Sequence, residues 1–126
     1  MANPNIVNVS SILAGWRGVI PANNTPNVVL YNFPDTNQVY KINSFIITNV
    51  TDNTVATTAW MNDRADGTGI SYRLAFNIYI PANSSLQLVD KGNFLYISEG
   101  SSLYVQSAVA SALEYIAVYE IISAAT

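Results

Sequence analysis

The sequence predicts an all-β fold, an antiparallel β-sandwich of about eight to ten short strands. Three observations carry this expectation. Val, Ile, Thr and Tyr recur in short runs separated by turn residues. Two-residue alternation is clean in Leu86-Gln87-Leu88-Val89 and in Leu113 to Ile122, where Tyr115, Ala117 and Tyr119 fall on one face. Helical patterning is poor: only Ser107 to Leu113 is helix-tolerant, and it is too short to stand alone. A jelly roll and an immunoglobulin-like sandwich fit the spacing equally, and a closed barrel also fits.

The elements follow in order. Ile6-Val7-Asn8-Val9 begins a first strand. Trp16 to Ile20 is expected as a second, bounded by Gly15 and Pro21, and Val28 to Tyr31 as a third, closed by Pro34-Asp35. Val39 to Val50 is the strongest segment and ends in the turn cluster Asn49 to Asn53. Val55 to Met61 and Tyr72 to Ile80 flank the polar, glycine-containing loop Asn62 to Gly69, so they read as a hairpin with a long tip. Leu86 to Val89, Phe94 to Ile97, Leu103 to Val105 and Leu113 to Ile122 complete the set. Ile20-Pro21-Ala22-Asn23 recurs as Ile80-Pro81-Ala82-Asn83. Two uses of one strand-ending turn explain that better than duplication of half a sandwich, because the flanking residues differ.

At 126 residues, half of them apolar, the chain is expected to form a single domain over residues 1–126 with a core that needs no disulfides. Cysteine and histidine are both absent, which removes thiolate nucleophiles, Cys-ligated zinc and the commonest general base. Only 10% of residues are charged, against roughly 25% in an average soluble domain. Arg17, Lys41, Arg64, Arg73 and Lys91 lie far apart, so no basic cluster points to nucleic acid. Met1 to Asn5 lacks the features of a secretory signal, and no apolar run is long enough to span a bilayer, so no membrane association and synthesis in a cytoplasm are expected. A neutral Asn, Ser and Thr surface with positive mean hydropathy suggests that part of the outside is covered by other protein.

Catalytic and cofactor sites are not expected. Glu114 and Glu120 share a strand face, but six residues put them roughly 20 Å apart, beyond the roughly 5 to 9.5 Å of a glycosidase pair. The Asn62 to Gly69 loop resembles a calcium loop superficially, yet Arg64 takes a ligand position and no Glu follows at the required distance. Serines lack a histidine partner, and Lys41 and Lys91 look exposed. The aromatics, among them Tyr31, Tyr40, Trp60, Tyr72, Tyr79, Tyr96, Tyr104, Tyr115 and Tyr119, fall mostly in strands, where core and cross-strand packing is their default role. Trp16-Arg17, between Gly15 and Gly18, is either an interface anchor or the cap of a small core.

The opening stretch from Met1 to Leu13 resembles the start of small virion structural proteins of tailed bacteriophages, especially cyanophage-like ones. Val39 to Val50, Ile80 to Leu86, Ile97 to Leu103 and Val118 to Ser123 are similar to their central strand, later turns and ending. The chain departs from them in Trp16 to Pro34 and in the Asn62 to Gly69 loop. The resemblance implies a decoration or cement protein of a phage capsid, bound to the major capsid protein or another virion protein, homo-oligomeric and located in the virion. It brings no catalytic motif, cofactor or metal. Two rivals stand beside it: a neck, tail or fibre-associated component, and a lectin-like receptor-binding module. Residues 1–13 are then a candidate assembly arm, with Ile6, Val7, Val9, Trp16 and Arg17 as candidate interface residues.

Overall fold

The computed structural model describes residue 7 and residues 9–125. Nine strands run through them: β1 (Val9–Val19), β2 (Asn27–Tyr31), β3 (Gln38–Asn49), β4 (Val55–Asn62), β5 (Ser71–Ile80), β6 (Ser85–Val89), β7 (Leu95–Ile97), β8 (Ser102–Ser107) and β9 (Leu113–Ala124). No helix occurs among the described residues. One sheet has the order β1-β9-β3-β6, with β7 also pairing β3, and the other has the order β2-β8-β4-β5; every pairing is antiparallel. First and last strands lie side by side, and consecutive strands lie in different sheets except for β4–β5 and β6–β7. That order is a jelly roll, which decides between the two sandwich topologies left open by sequence.

The core lies between the sheets and follows the strand parity, except that a register shift between Ile42 and Ser44 turns both Ile42 and Phe45 inward. Ile42, Phe45 and Ile47 of β3 and Leu113, Tyr115 and Ala117 of β9 point inward and are fully buried. They meet Val29 of β2, Ala59 of β4 and Leu103 and Val105 of β8. The Phe45 and Tyr115 rings stack at 6.2 Å. Across the sandwich the Tyr115 hydroxyl is hydrogen-bonded to Thr57 Oγ1 at 2.6 Å, so one polar bond ties the sheets together through the apolar layer. Burial pushes the Tyr115 phenol up to about 12, because a phenolate there would lose its hydration.

Three buried asparagines fasten the loops to this frame. Asn32 Nδ2 donates to the carbonyls of Gln38 and Ile97. Asn49 Nδ2 donates to the carbonyls of Asn53 and Ile80, and its Oδ1 accepts from the Thr51 amide and hydroxyl. Asn62 holds the β4–β5 loop in the same way, accepting from the Arg64 and Gly69 amides. An amide side chain presents donors and an acceptor together, so it substitutes for missing ladder partners where strands end.

The β4–β5 hairpin forms as expected. Two details depart from the sequence reading. The strands expected around Val9 and from Trp16 to Ile20 are one continuous strand, β1. Gly15 does not interrupt it, because the Tyr119 phenol of β9 lies over the gap; a Cβ at Gly15 would meet that hydroxyl at 3.4 Å. Most aromatics also lie outside the core. Only Phe45 and Tyr115 are fully buried, while Trp16, Tyr31, Tyr72, Tyr79 and Tyr96 are exposed. Burial of the small residues Ala59, Ala112 and Ala117 narrows the space between the sheets and leaves little room for more rings. The two Ile-Pro-Ala-Asn copies take different geometries: Ile80 is buried and Asn83 has φ 57°, whereas Ile20 is exposed.

Candidate assembly surface

β1 is the outermost strand of its sheet. Its register with β9 runs unbroken from Ser11↔Ser123 to Val19↔Tyr115. Strand parity therefore places Ile12, Ala14 and Trp16 on the outer face, opposite Ile122, Glu120 and Val118, and Leu13, Gly15 and Arg17 on the inward-facing side. Trp16 is 70% exposed, which removes the core-cap alternative. Ala14, Gly15, Trp16, Ile116 and Val118 line a shallow hollow of about 460 Å³ on the outer face. Ile12 and Leu13 are 60% and 66% exposed. A run of large apolar side chains on an edge strand is costly to leave in water and open to strand pairing.

The candidate interface residues are distributed as follows. Val9 opens β1 and pairs with Ala124. Val7 lies in a turn and is 93% exposed. Ile6 falls outside the described residues. Of the candidate arm, residues 9–13 are the first half of β1 and belong to the sheet. Gly15 to Gly18 lies within β1, and alternation sends Trp16 and Arg17 to opposite faces. Arg17 instead lines a cleft of about 320 Å³ at the side of the sandwich with Tyr31, Tyr40 and Tyr119. Burial, and then the neighbouring phenols of Tyr119 and Tyr31, raise the Tyr40 phenol above its ordinary value. Sequence reasoning held Ile12 and Leu13 within the candidate arm without singling them out, and missed Ile116 and Val118. Period-two alternation with Trp16 would have grouped Ile12 and Ala14, but Ile116 and Val118 join them only through the β1–β9 register.

A second concavity, about 500 Å³, lies at one end of the sandwich between Phe33, Pro34, Gly100 and the β4–β5 loop residues Asp63 to Asp66. One carboxylate oxygen of each of its aspartates is engaged within the loop. Asp63 Oδ1 accepts from the Ile70 amide, and Asp66 Oδ1 accepts from the Thr68 amide and hydroxyl. Those two bonds from Thr68 hold the Asp66 carboxyl below its usual range. Ser102 Oγ donates to the Arg64 carbonyl, and the Tyr104 hydroxyl donates to that of Asp66. Carboxylate oxygens committed to loop amides have fewer lone pairs for a cation.

No family model matches the chain, and no curated protein matches it in sequence. Among the solved structures that share its architecture are two matched over nearly all of this chain. One is a chain from the disulfide-linked pili of Bacillus endospore appendages, with a TM-score of 0.57 at 11% identity over 91% of this chain and 90% of that one. The other is a chain of the T13 viral particle of infectious bursal disease virus, with a TM-score of 0.52 at 6% identity. It covers 92% of this chain, which spans only 32% of the viral one. At these identities the likeness establishes the fold: a jelly-roll sandwich.

Proposed function

We propose that this chain is a non-catalytic structural subunit of a virion, a decoration or cement protein that binds the capsid lattice of a tailed bacteriophage. The observation that carries the reading is the bare, apolar outer face and edge of β1. A lattice protein needs a rigid scaffold, few charges to desolvate and an apolar anchor; Trp16 beside Val118 on a jelly roll supplies these. Repetition over a lattice then multiplies modest contacts into tight attachment. The virion role draws support from the sequence resemblance to phage particle proteins and from the shared fold with a viral particle chain.

A second reading, a subunit of an appendage fibre, is favoured by the mutual coverage with the endospore pilus chain. Those pili are disulfide-linked, and this sequence has no cysteine with which to make such a link. Quantitative mass spectrometry of purified phage particles encoding the chain tests the proposal. Decoration of the capsid gives hundreds of copies per particle. A handful of copies would move the chain to the neck, tail or fibres, and absence from the particle would refute the virion reading.

A further inference from the structure

The free edge of β1 is open along eleven residues: β9 occupies one side, and no described strand occupies the other. Proteins blunt such edges with lysine, proline, bulges or short strands. From Ser11 to Val19 β1 has no lysine, no proline and no bulge, and its single charge is Arg17. The long edge of the other sheet, β5, is treated differently. Its ladder with β4 shifts register on both sides of Ala59, Asn77 adopts φ 51°, and the Asn77 amide is turned to the Thr58 hydroxyl. β1 is therefore the edge left able to pair.

The strand's own sequence indicates its occupant. Its midpoint is Ala14. A two-fold axis through Ala14 sets two β1 strands antiparallel, with Ala14 facing Ala14, Trp16 facing Ile12, Leu13 facing Gly15 and Arg17 facing Ser11. Each large side chain then meets a small or medium one. On the outer face the alanines leave room for the two indoles to lean across the axis. On the other face Leu13 meets the Tyr119 ring that lies over the glycine of the second copy. An axis at Leu13 would instead oppose Leu13 to itself and Arg17 to Val9, and an axis at Gly15 would oppose Arg17 to Leu13. The area suffices as well. Val9, Ile12, Leu13 and Trp16, exposed by 36, 60, 66 and 70%, hold together roughly 500 Å² per copy, so with the exposed backbone of the edge two copies offer area of the order of the roughly 1,000 Å² at which specific interfaces begin.

We infer that β1 is a two-fold interface between two copies of this chain, registered on Ala14, which joins their β6-β3-β9-β1 sheets into one. The inference rests on the reading of the chain as an assembling subunit and names the first partner of its edge.

Single-cysteine variants of the full chain test it, since the sequence has no other cysteine. Directly opposed Cβ atoms in an antiparallel pair lie about 4.5–5.5 Å apart, within reach of oxidation or a short bis-maleimide. Ala14→Cys is expected to cross-link to itself at high micromolar concentration, while Lys91→Cys, exposed in the turn after β6, stays monomeric. Ile12→Cys mixed with Trp16→Cys gives the heterodimer in excess of either homodimer. Ala14→Glu sets two carboxylates face to face, each beside the Glu120 of its own chain, and weakens self-association by sedimentation about tenfold or more. Cross-linking of Ala14→Cys no faster than that of Lys91→Cys overturns the interface. So does a wild-type chain that sediments as a monomer at that concentration. A monomer that still occupies purified particles in high copy number removes the two-fold and leaves the subunit reading standing. A dimer cross-linked through Ala14 but absent from particles does the reverse.

Discussion

Asn62 is expected to be worth more to this fold than any exposed residue of the loop it holds. It is buried at the end of β4, and its Nδ2 faces the carbonyls of Gly67 and Gly69 and the hydroxyl of Ser71, each at 3.1 Å. With two protons, Nδ2 satisfies two of these at a time. Oδ1 accepts from the Arg64 and Gly69 amides at 3.0 Å. Asn62→Ala thus removes about four hydrogen bonds worth roughly 1 kcal/mol each and leaves backbone groups without partners. The loop is half open to solvent, and water replaces part of the loss, so we expect a net cost of about 2–4 kcal/mol. In a domain of this size that lowers Tm by roughly 8–16 °C. Differential scanning calorimetry of Asn62→Ala beside the exposed control Asn24→Ala measures it, with the control shifting by less than about 2 °C. Asn62→Asp keeps both accepted bonds but turns a carboxylate oxygen toward two carbonyls, so it is expected to fall below wild type as well. A shift under about 3 °C for Asn62→Ala would refute the argument that this side chain holds the loop.

Three further outcomes follow from the same reasoning. Tyr115 has its phenol raised to about 12 in the folded state against 10.0 unfolded, so its contribution is complete below pH 10 and is lost as pH rises through 12; urea titrations between pH 9 and 12 should show stability falling by up to about 2–3 kcal/mol, with a shallower fall in Tyr115→Phe. Gly67 has φ 78°, and a Cβ there would meet the Tyr104 hydroxyl at 2.5 Å, so Gly67→Ala is expected to lower stability by about 1–3 kcal/mol in the same titration at neutral pH. Trp16→Ala should leave Tm within about 5 °C, because most of the indole is already in water, while particle binding weakens at least about tenfold as measured by co-sedimentation.

Much of the fold is legible in the residues because strand periodicity and turn chemistry agree. The β3, β4, β5, β6 and β9 segments carry β-branched or alternating patterns bounded by Asn, Asp, Gly or Pro, and each appears close to its expected bounds. Ser107 to Leu113, the one helix-tolerant stretch, is a turn: Ser107 Oγ donates to the Val109 carbonyl, and Ser111 adopts φ 56° with its amide on the Pro21 carbonyl. Gly15 misled the reading of β1, since nothing local says that Tyr119, 104 residues later, lies across it. Jelly-roll order was illegible for the same reason: it is fixed by pairings such as β1 with β9, which join the two ends of the chain. Of the candidate surface, Trp16 was recognisable by type and by its flanking glycines. Its separation from Arg17 follows from period-two geometry along the strand. Buried Asn32, Asn49 and Asn62 look like ordinary loop residues in sequence, and only their geometry shows them bridging loop backbones. Asn49 also heads an Asn-x-Thr triplet, and its burial and four hydrogen bonds close that amide to modification in the folded chain.

The claim that β1 is the assembly edge has a direct measurement in amide hydrogen exchange of the isolated chain and of the same chain bound to its particle. In the isolated chain, diluted well below the concentration at which it pairs with itself, the β1 amides that point away from β9 face solvent and exchange quickly, while those bonded to β9 and the β3 amides exchange slowly. On the particle, peptides covering Val9 to Val19 are expected to gain protection at those outward amides, with the Asn62 to Gly69 loop unchanged. Unchanged exchange across β1, with new protection appearing instead over β5 or the loop end of the sandwich, would contradict the account.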